Sequence, residues 1–215
     1  MNKVALPTHD AALPLGKESA YPERYDPSLL YPIARSLGRD VIGLHPGALP
    51  FIGPDLWRGY ELSWLNENGL PATALLKVWV PATSRHIIES KSFKLFLNSL
   101  NHERFHDVSQ VKLKLQDDLS RAAGCAVRVA IVMPQQFGEE QIEEPDAKQQ
   151  CLDDQDIRID EYEPNAGLLK LAADDAIIHE CVFSRLLKSN CPVTGQPDWG
   201  SIHIEYQGRA IDHAA

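Results

Sequence analysis

The sequence predicts an α+β protein, because runs of strand-like alternation enclose two segments of helical periodicity. Apolar and polar residues alternate between Trp57 and Val80 and again between Val127 and Met133, which is typical of half-buried strands. Between these runs, apolar residues recur every three to four positions, as on the buried face of a helix. The order predicts one ββααββ module, followed by the first strands of a second.

Composition limits the function. The chain has 215 residues, 44% of them hydrophobic, which is enough for a sizeable core. A net charge of -9 argues against a direct nucleic-acid or acidic-membrane partner. No apolar run reaches the roughly 18 residues of a membrane span, and no signal-peptide core precedes residue 22, so the sequence predicts a cytoplasmic protein.

The first 50 residues are predicted to be an extended arm with short helical turns. Prolines recur through this arm without sustained periodicity (Pro7, Pro14, Pro22, Pro27, Pro32, Pro46 and Pro50). The first module is then assigned to residues 51–170. It begins with a β-hairpin whose turn is supplied by Asn68 and Gly69.

Two helices follow the hairpin. The first is predicted over residues 90–105, with Ser90 as its cap. The second begins after Asp107, which forms a capping-box pattern with Gln110, and ends at Gly124. Its predicted apolar face comprises Val108, Val111, Leu115 and Leu119. We expect the two helices to pack antiparallel.

Two strands are predicted to close the first module. The second of them is indicated by Ile157 and Ile159, which alternate with Arg158 and Asp160. Residues 171–215 then predict the opening hairpin of a second module, with strands over 181–188 and 202–206. Because two strands alone are not stable in water, this hairpin either packs on the first module or belongs to a longer protein.

The turn between these last strands carries the strongest candidate chemistry. Cys191 lies among prolines and glycines that favour an exposed turn, and nearby Lys188 would favour the thiolate. Asp198 follows on the same turn as a candidate proton donor. The alternatives are a buried structural thiol and an aspartate that only caps the turn.

A second candidate site lies at the start of the first predicted helix. Lys91 and Lys94 share a face next to amides that would be free at a helix N-terminus, a combination suited to phosphate. Glu89 precedes them, and its carboxylate could accept hydrogen bonds from a guanine-like heterocycle. The alternative is an ordinary solvated helix face.

No metal site is predicted. The spacing of His179, Cys181 and His203 matches no ligand motif, and ordinary strand-end residues are the favoured explanation. The acidic run at 151–156 lacks the glycine and the terminal glutamate of a calcium loop. The four cysteines contain no CxxC pair and do not indicate a disulfide framework.

Two segments carry a family resemblance. ESKSFKLF at 89–96 and LLKSNCPVTGQPDWGSIHIEYQG at 186–208 resemble the NADPH-dependent 7-cyano-7-deazaguanine reductases of queuosine biosynthesis, in their two-module form. YELSWLN and CLDDQDIRIDEYE extend the similarity to nearly the whole chain. The resemblance implies a tandem tunnelling fold related to GTP cyclohydrolase I, with an antiparallel sheet and two antiparallel helices in each module, and a homo-oligomer.

The resemblance also implies roles for individual residues. Cys191 would attack the nitrile carbon to give a thioimide, Asp198 would handle protons, and NADPH would deliver two hydrides to yield the aminomethyl product. Ile88, Glu89 and Ser90 would contact the substrate, and Ser90 and Lys91 the cofactor. Lys94 is added to the cofactor site from its helix spacing.

The family's second module continues into a His-Glu pair for the substrate and a basic segment for NADPH, beyond what the printed sequence contains. We therefore expect an incomplete second module that binds substrate weakly and turns over little. Two alternatives stay open. One is a tunnelling-fold protein that binds a purine-like ligand without catalysis, and the other is a GTP cyclohydrolase-type relative, which would need zinc.

Overall fold

The computed structural model describes most of the chain, in five stretches: residues 22–140, 149–162, 165–173, 176–190 and 196–215. The chain divides into two compact units, Met1–Gln141 and Ile142–Ala215. The module boundary that the sequence places after residue 170 stays a prediction. Each unit is described by itself.

The described part of the N-terminal arm is built into the first unit. It consists of a 3-10 turn (Pro27–Leu29), strand β1 (Pro32–Ala34), helix α1 (Ser36–Arg39) and a second 3-10 turn (Asp40–Ile42). These short elements lie within the segment that is predicted to be an extended arm. Strand β1 pairs antiparallel with the short strand β4 (His86–Ile88), so the arm is held by a backbone ladder.

The predicted hairpin is confirmed as strands β2 (Pro54–Leu65) and β3 (Pro71–Pro81). The Asn66 side chain accepts hydrogen bonds from the backbone N–H groups of Asn68 and Leu70, at 3.0 and 2.9 Å. Gly69 has a φ of 82°, a left-handed conformation that suits glycine. Strand β5 (Arg128–Val132) pairs with the other edge of β3, giving the order β2-β3-β5.

Helix α2 spans Ser90–Ser99 and is shorter than predicted. The helical period continues to Phe105, but the chain there bonds to the end of β2 instead. Leu65 donates its N–H to the Glu103 carbonyl at 2.8 Å, and Phe105 donates to the Leu65 carbonyl at 2.9 Å. Since these backbone groups pair with a strand, they cannot also extend the helix.

Helix α3 spans Val108–Ala123, as its capping signals predict. The Asp107 side chain accepts a hydrogen bond from the Gln110 N–H at 2.9 Å, and Gly124 ends the helix with a φ of 69°. The Gln110 side chain bonds the N–H of His106, so the capping box is only half formed. Val108, the first residue of α3, is 36% exposed and does not belong to the buried face as predicted, because a helix end packs less completely than its middle.

One hydrophobic core unites the sheet and both helices of the first unit. Leu62 and Leu76 from the sheet are fully buried, as are Phe96 of α2 and Leu115 of α3. The apolar faces that the period predicts are therefore the ones that meet. The antiparallel direction of the two helices stays a prediction.

The second unit contains a long hairpin. Strand β6 (Gln150–Cys151) runs parallel to β7 (Ile177–Asn190), which pairs antiparallel with β8 (Pro197–Arg209). The predicted hairpin is confirmed and is longer than its periodic core. Among the described residues, no helix is both long and apolar enough to cross a membrane.

The prediction of a strand around Ile157 and Ile159 is wrong. These residues are 41% and 58% exposed and form no strand. An alternating run becomes a strand only when a neighbouring edge takes its backbone hydrogen bonds, and no described strand pairs with this run. Among the described residues of the first unit, β5 is the last strand.

Replacing Leu115 by alanine should destabilise the first unit by about 2–5 kcal/mol, because its side chain is fully buried and a cavity would remain. Urea unfolding measures the change. Leu113→Ala on the same helix is the matched control: Leu113 is 61% exposed, and its loss should change stability by no more than about 0.5 kcal/mol. Equal effects of the two variants would contradict the assigned core face.

Candidate functional site

Glu89 caps the helix that begins the first candidate site. It has extended backbone angles, φ -65° and ψ 133°, at the junction of β4 and α2. One carboxylate oxygen accepts a hydrogen bond from the Lys91 N–H at 2.8 Å, and the other accepts from the Ser92 N–H at 2.6 Å. The residue is 4% exposed. Glu89, rather than the predicted Ser90, is therefore the cap.

This cap changes the way the segment can hold an anion. The prediction of free amides for a phosphate is wrong at Lys91 and Ser92, because the Glu89 carboxylate occupies both N–H groups. Ser90 and Lys94 are exposed, and Lys91 is half-buried. A phosphate at this segment would therefore be bound by hydroxyl and ammonium groups of side chains.

Ile88 lies beneath the segment. It is 6% exposed and belongs to the hydrophobic core. Together with Trp57, Phe93 and other apolar residues, it lines a small cavity beside the helix. The rings of Trp57 and Phe93 meet edge to face there, with centroids 5.7 Å apart. Ile88 thus packs in the core next to the first turn of α2.

The arm clamps the same junction through Tyr31, which sequence reasoning missed. The Glu89 N–H donates to the Tyr31 carbonyl at 2.9 Å, and the Tyr31 N–H donates to the Ser92 hydroxyl at 3.0 Å. That hydroxyl donates in turn to the Glu89 carbonyl at 2.7 Å. Nothing in the sequence signals these contacts, because they join residues about 60 positions apart through backbone groups.

The second candidate site falls partly outside the described residues, since Cys191 belongs to the stretch 191–195. The prediction that Asp198 lies in a turn is wrong. The residue lies in strand β8, which already begins at Pro197. It is exposed and stands opposite Ser189. Asn190 and Pro197 are the last pair of the ladder, so the chain enters Cys191 directly from the hairpin end that carries Asp198.

A register shift in the hairpin separates Lys188 from Asp198. Between Ser184 and Leu187 the strand β7 contains one extra residue. Lys188 consequently stands opposite Trp199, with its ammonium 5.7 Å from the ring centroid. Neighbouring residues of a strand point to opposite faces, so Lys188 and Asp198 lie on different faces of the hairpin.

Asp153 anchors this irregular part of β7. Its two carboxylate oxygens accept hydrogen bonds from the Arg185 N–H at 3.2 and 3.1 Å. A hydrogen bond from Ser184 is the main cause that lowers the pKa of Asp153, and the Arg185 amide lowers the pKa further. The acidic run that superficially suggests a calcium loop thus has a structural role at Asp153.

We expect Asp153→Asn to weaken the second unit most at neutral pH. Because the folded-state pKa is lowered, the stabilisation is present above the ordinary pKa of aspartate and is lost as the pH falls through the folded-state value. Urea unfolding should show that the variant has a lower free energy of unfolding than wild type at about pH 7, and that this difference is smaller at about pH 3. Asp154→Asn is the control in the same run, and an equal effect there would contradict the assignment.

Removal of the Glu89 cap should lower the free energy of unfolding. Glu89→Ala should cost about 0.5–2 kcal/mol, because two helix N–H groups lose their acceptors. Thermal or urea denaturation checks this. Lys94→Ala, an exposed change on the same helix, should stay within about 0.5 kcal/mol of wild type. A Glu89→Ala protein as stable as wild type would disprove the cap.

Comparison with known proteins shows which family the chain resembles. A family profile described as "Nitrile reductase, 7-cyano-7-deazaguanine-reductase N-term" matches residues 21–131, which include the whole candidate segment from Ile88 to Lys94. Cys191 and Asp198 lie beyond that match but within the regions aligned to the relatives.

Three relatives bear the name NADPH-dependent 7-cyano-7-deazaguanine reductase. The protein of Azoarcus sp. (strain BH72) is 49% identical over 215 residues, which is 100% of this chain and 75% of the relative. That of Burkholderia vietnamiensis is 50% identical over 94% of this chain and 72% of its own length. That of Chromobacterium violaceum is 49% identical over 98% of this chain and 74% of its own length. These matches confirm the resemblance, and the chain belongs to the 7-cyano-7-deazaguanine reductase family of nitrile reductases.

Proposed function

We propose that this protein reduces the nitrile of 7-cyano-7-deazaguanine to an aminomethyl group at the expense of NADPH, a step of queuosine biosynthesis. One observation carries the proposal: 49% identity over all 215 residues to a reductase named for this reaction. The sequence from Asn190 to Gly200 supports it chemically, because it supplies the Cys191 thiol and the Asp198 carboxyl group seven positions apart. A soft thiolate adds readily to an electrophilic carbon.

Cys191 is the proposed nucleophile and Asp198 the proposed acid. The Cys191 sulfur forms a bond to the nitrile carbon as one π bond of the nitrile breaks, and the nitrogen takes a proton from the Asp198 carboxyl group. The product is a covalent thioimide with a C=N bond. The exposure of Asp198 at the hairpin end supports this role, because a proton donor must be reachable by its substrate.

The reductant fits the side chains at the start of α2. Bound NADPH supplies hydride for each of the two reduction steps. Its phosphates are anionic, and the Ser90 hydroxyl with the ammonium groups of Lys91 and Lys94 would hold an anion. The exposure of Ser90 and Lys94 supports this assignment, whereas the capped amides do not contribute.

Glu89 and Ile88 are proposed to contact the substrate together with Ser90. A carboxylate has about four lone-pair sites, and the two hydrogen bonds to the helix amides leave acceptor capacity for a heterocycle N–H. Because Glu89 is also held by its backbone contact to Tyr31, its position would change little on binding. Ile88 would act through packing.

The proposal includes two statements about context. A thiolate nucleophile needs a compartment that keeps thiols reduced, which supports a cytoplasmic location. Self-association is proposed from the tunnelling fold, whose modules close rings by pairing sheets. A direct nucleic-acid partner is not part of the proposal, since the net charge is -9.

Mass spectrometry of the intact protein with 7-cyano-7-deazaguanine and no NADPH tests the first chemical step. We expect an adduct with the mass of the substrate, mapped to Cys191 by peptide digestion. Cys191→Ala should abolish it, while Asp198→Asn should slow its formation by about 10²–10⁴-fold, as expected for loss of a general acid.

Cys125→Ser and Cys151→Ser are the matched controls and should retain the adduct. An adduct on either of those thiols, or none on any, would contradict the proposed nucleophile. The alternatives are separated by the same samples: a purine-binding protein would bind without an adduct, and a cyclohydrolase-type relative would consume GTP instead. NADPH oxidation in the presence of the nitrile then measures turnover.

A further inference from the structure

Three side chains of the β7–β8 hairpin converge on one face of the second unit. They are His179 and Cys181 of β7 and Glu205 of β8, and their ligand atoms all lie within 4.8 Å of one another. We propose that this cluster binds a divalent transition metal of borderline softness, with Zn²⁺ as the expected ion. The site is independent of the proposed reductase activity.

The hairpin register creates the cluster. Residues two apart in a strand share a face, so His179 and Cys181 point to the same side of β7. Cys181 stands directly opposite Glu205 in the antiparallel ladder, which places Glu205 on that side too. Spacing along the chain cannot show this, because the carboxylate comes from the other strand.

The donor set suits zinc. Imidazole nitrogen, thiolate sulfur and carboxylate oxygen are the three ligand types that Zn²⁺ uses in proteins. With bond lengths of about 2.0–2.3 Å, tetrahedral ligands stand roughly 3.3–3.8 Å apart. His179 Nε2 and Glu205 Oε1 are 2.9 Å apart, and all three ligand atoms lie within 4.8 Å of one another, so shifts of about 1 Å would give tetrahedral spacing.

Small side-chain movements would complete the geometry. The His179 and Glu205 side chains are 61% and 70% exposed, so they can rotate without disturbing a core. Cys181 is half-buried, and it would bind the metal as a thiolate, releasing its proton to solvent. A water molecule would take the fourth position, as is usual when a protein supplies three ligands.

His203 is not part of the proposed site, although sequence spacing groups it with His179 and Cys181. Its Nδ1 lies 2.9 Å from Gln149 Oε1, and its ring stacks on Phe183 with centroids 5.8 Å apart. Glu205 takes its place as the third ligand. His203 therefore offers a matched control on the same strand.

The position of the site separates it from the residues proposed for nitrile reduction. The stretch of β7 from Cys181 to Asn190 spans roughly 30 Å at about 3.3 Å per residue, so the metal would stand far along the hairpin from Asp198. It would join β7 to β8 near the start of the hairpin. Zinc bound at this cluster would thus not indicate cyclohydrolase chemistry.

Titration of the full chain with Co²⁺ tests the site, because a cobalt–thiolate bond gives a charge-transfer absorption in the near ultraviolet. We expect saturation at about one equivalent, displacement by Zn²⁺, and loss of the absorption in Cys181→Ser. Cys125→Ser and Cys151→Ser should keep the absorption.

His179→Gln and Glu205→Gln should each weaken Co²⁺ binding at least about tenfold, while His203→Gln should not. Circular dichroism checks that each variant is folded, and the two Gln variants keep the test valid should Cys181→Ser unfold. Thiolate absorption that persists in folded Cys181→Ser would overturn the proposal. So would unchanged affinity in Glu205→Gln, or absorption that disappears only in Cys191→Ala.

Discussion

The buried carboxylate of Glu89 is the contact on which the first candidate site depends. The helix amides of Lys91 and Ser92 donate to this carboxylate, and the Glu89 N–H donates to the Tyr31 carbonyl. Glu89 therefore joins the start of α2 to the residue that precedes β1. Buried amides without acceptors would destabilise the junction. The carboxylate removes that penalty, and it also takes up the N-terminal dipole charge that an external anion would otherwise use. The cationic side chains of α2 are left as the groups that face solvent.

In the second unit, the corresponding constraint is the register of the β7–β8 hairpin. The extra residue between Ser184 and Leu187 changes the register by one. On the near side of this bulge Cys181 faces Glu205, and on the far side Asp198 faces Ser189. Without the extra residue, Asp198 would stand opposite Lys188, and an ion pair would compete with proton transfer. Asp153 holds the bulge, which links the acidic run to the end of the hairpin that leads to Cys191.

Family membership and physical structure support each other at different levels. The relatives' shared name and the matched profile identify the kind of chemistry. The geometry adds two facts that the names of relatives do not contain. It shows which backbone amides at the start of α2 are already hydrogen-bonded, and which face of the hairpin carries Asp198. It also shows that the arm, whose function the sequence does not reveal, supplies Tyr31 to the candidate segment.

The sequence by itself determined the elements whose signals are local. The Asn68-Gly69 turn, the cap at Asp107 and the glycine end of α3 all follow from interactions within a few residues. The two motifs that show the family are local as well. Tertiary structure decided the rest. Helix α2 ends at Ser99 because the backbone groups of Glu103 and Phe105 bond to Leu65, at the end of β2. The run at Ile157 stays irregular because no described strand pairs with it. The cap at Glu89 depends on burial, and the His179–Cys181–Glu205 cluster depends on cross-strand register. The cluster brings together side chains of two strands, and the separation of those residues along the chain says nothing about their distance in space.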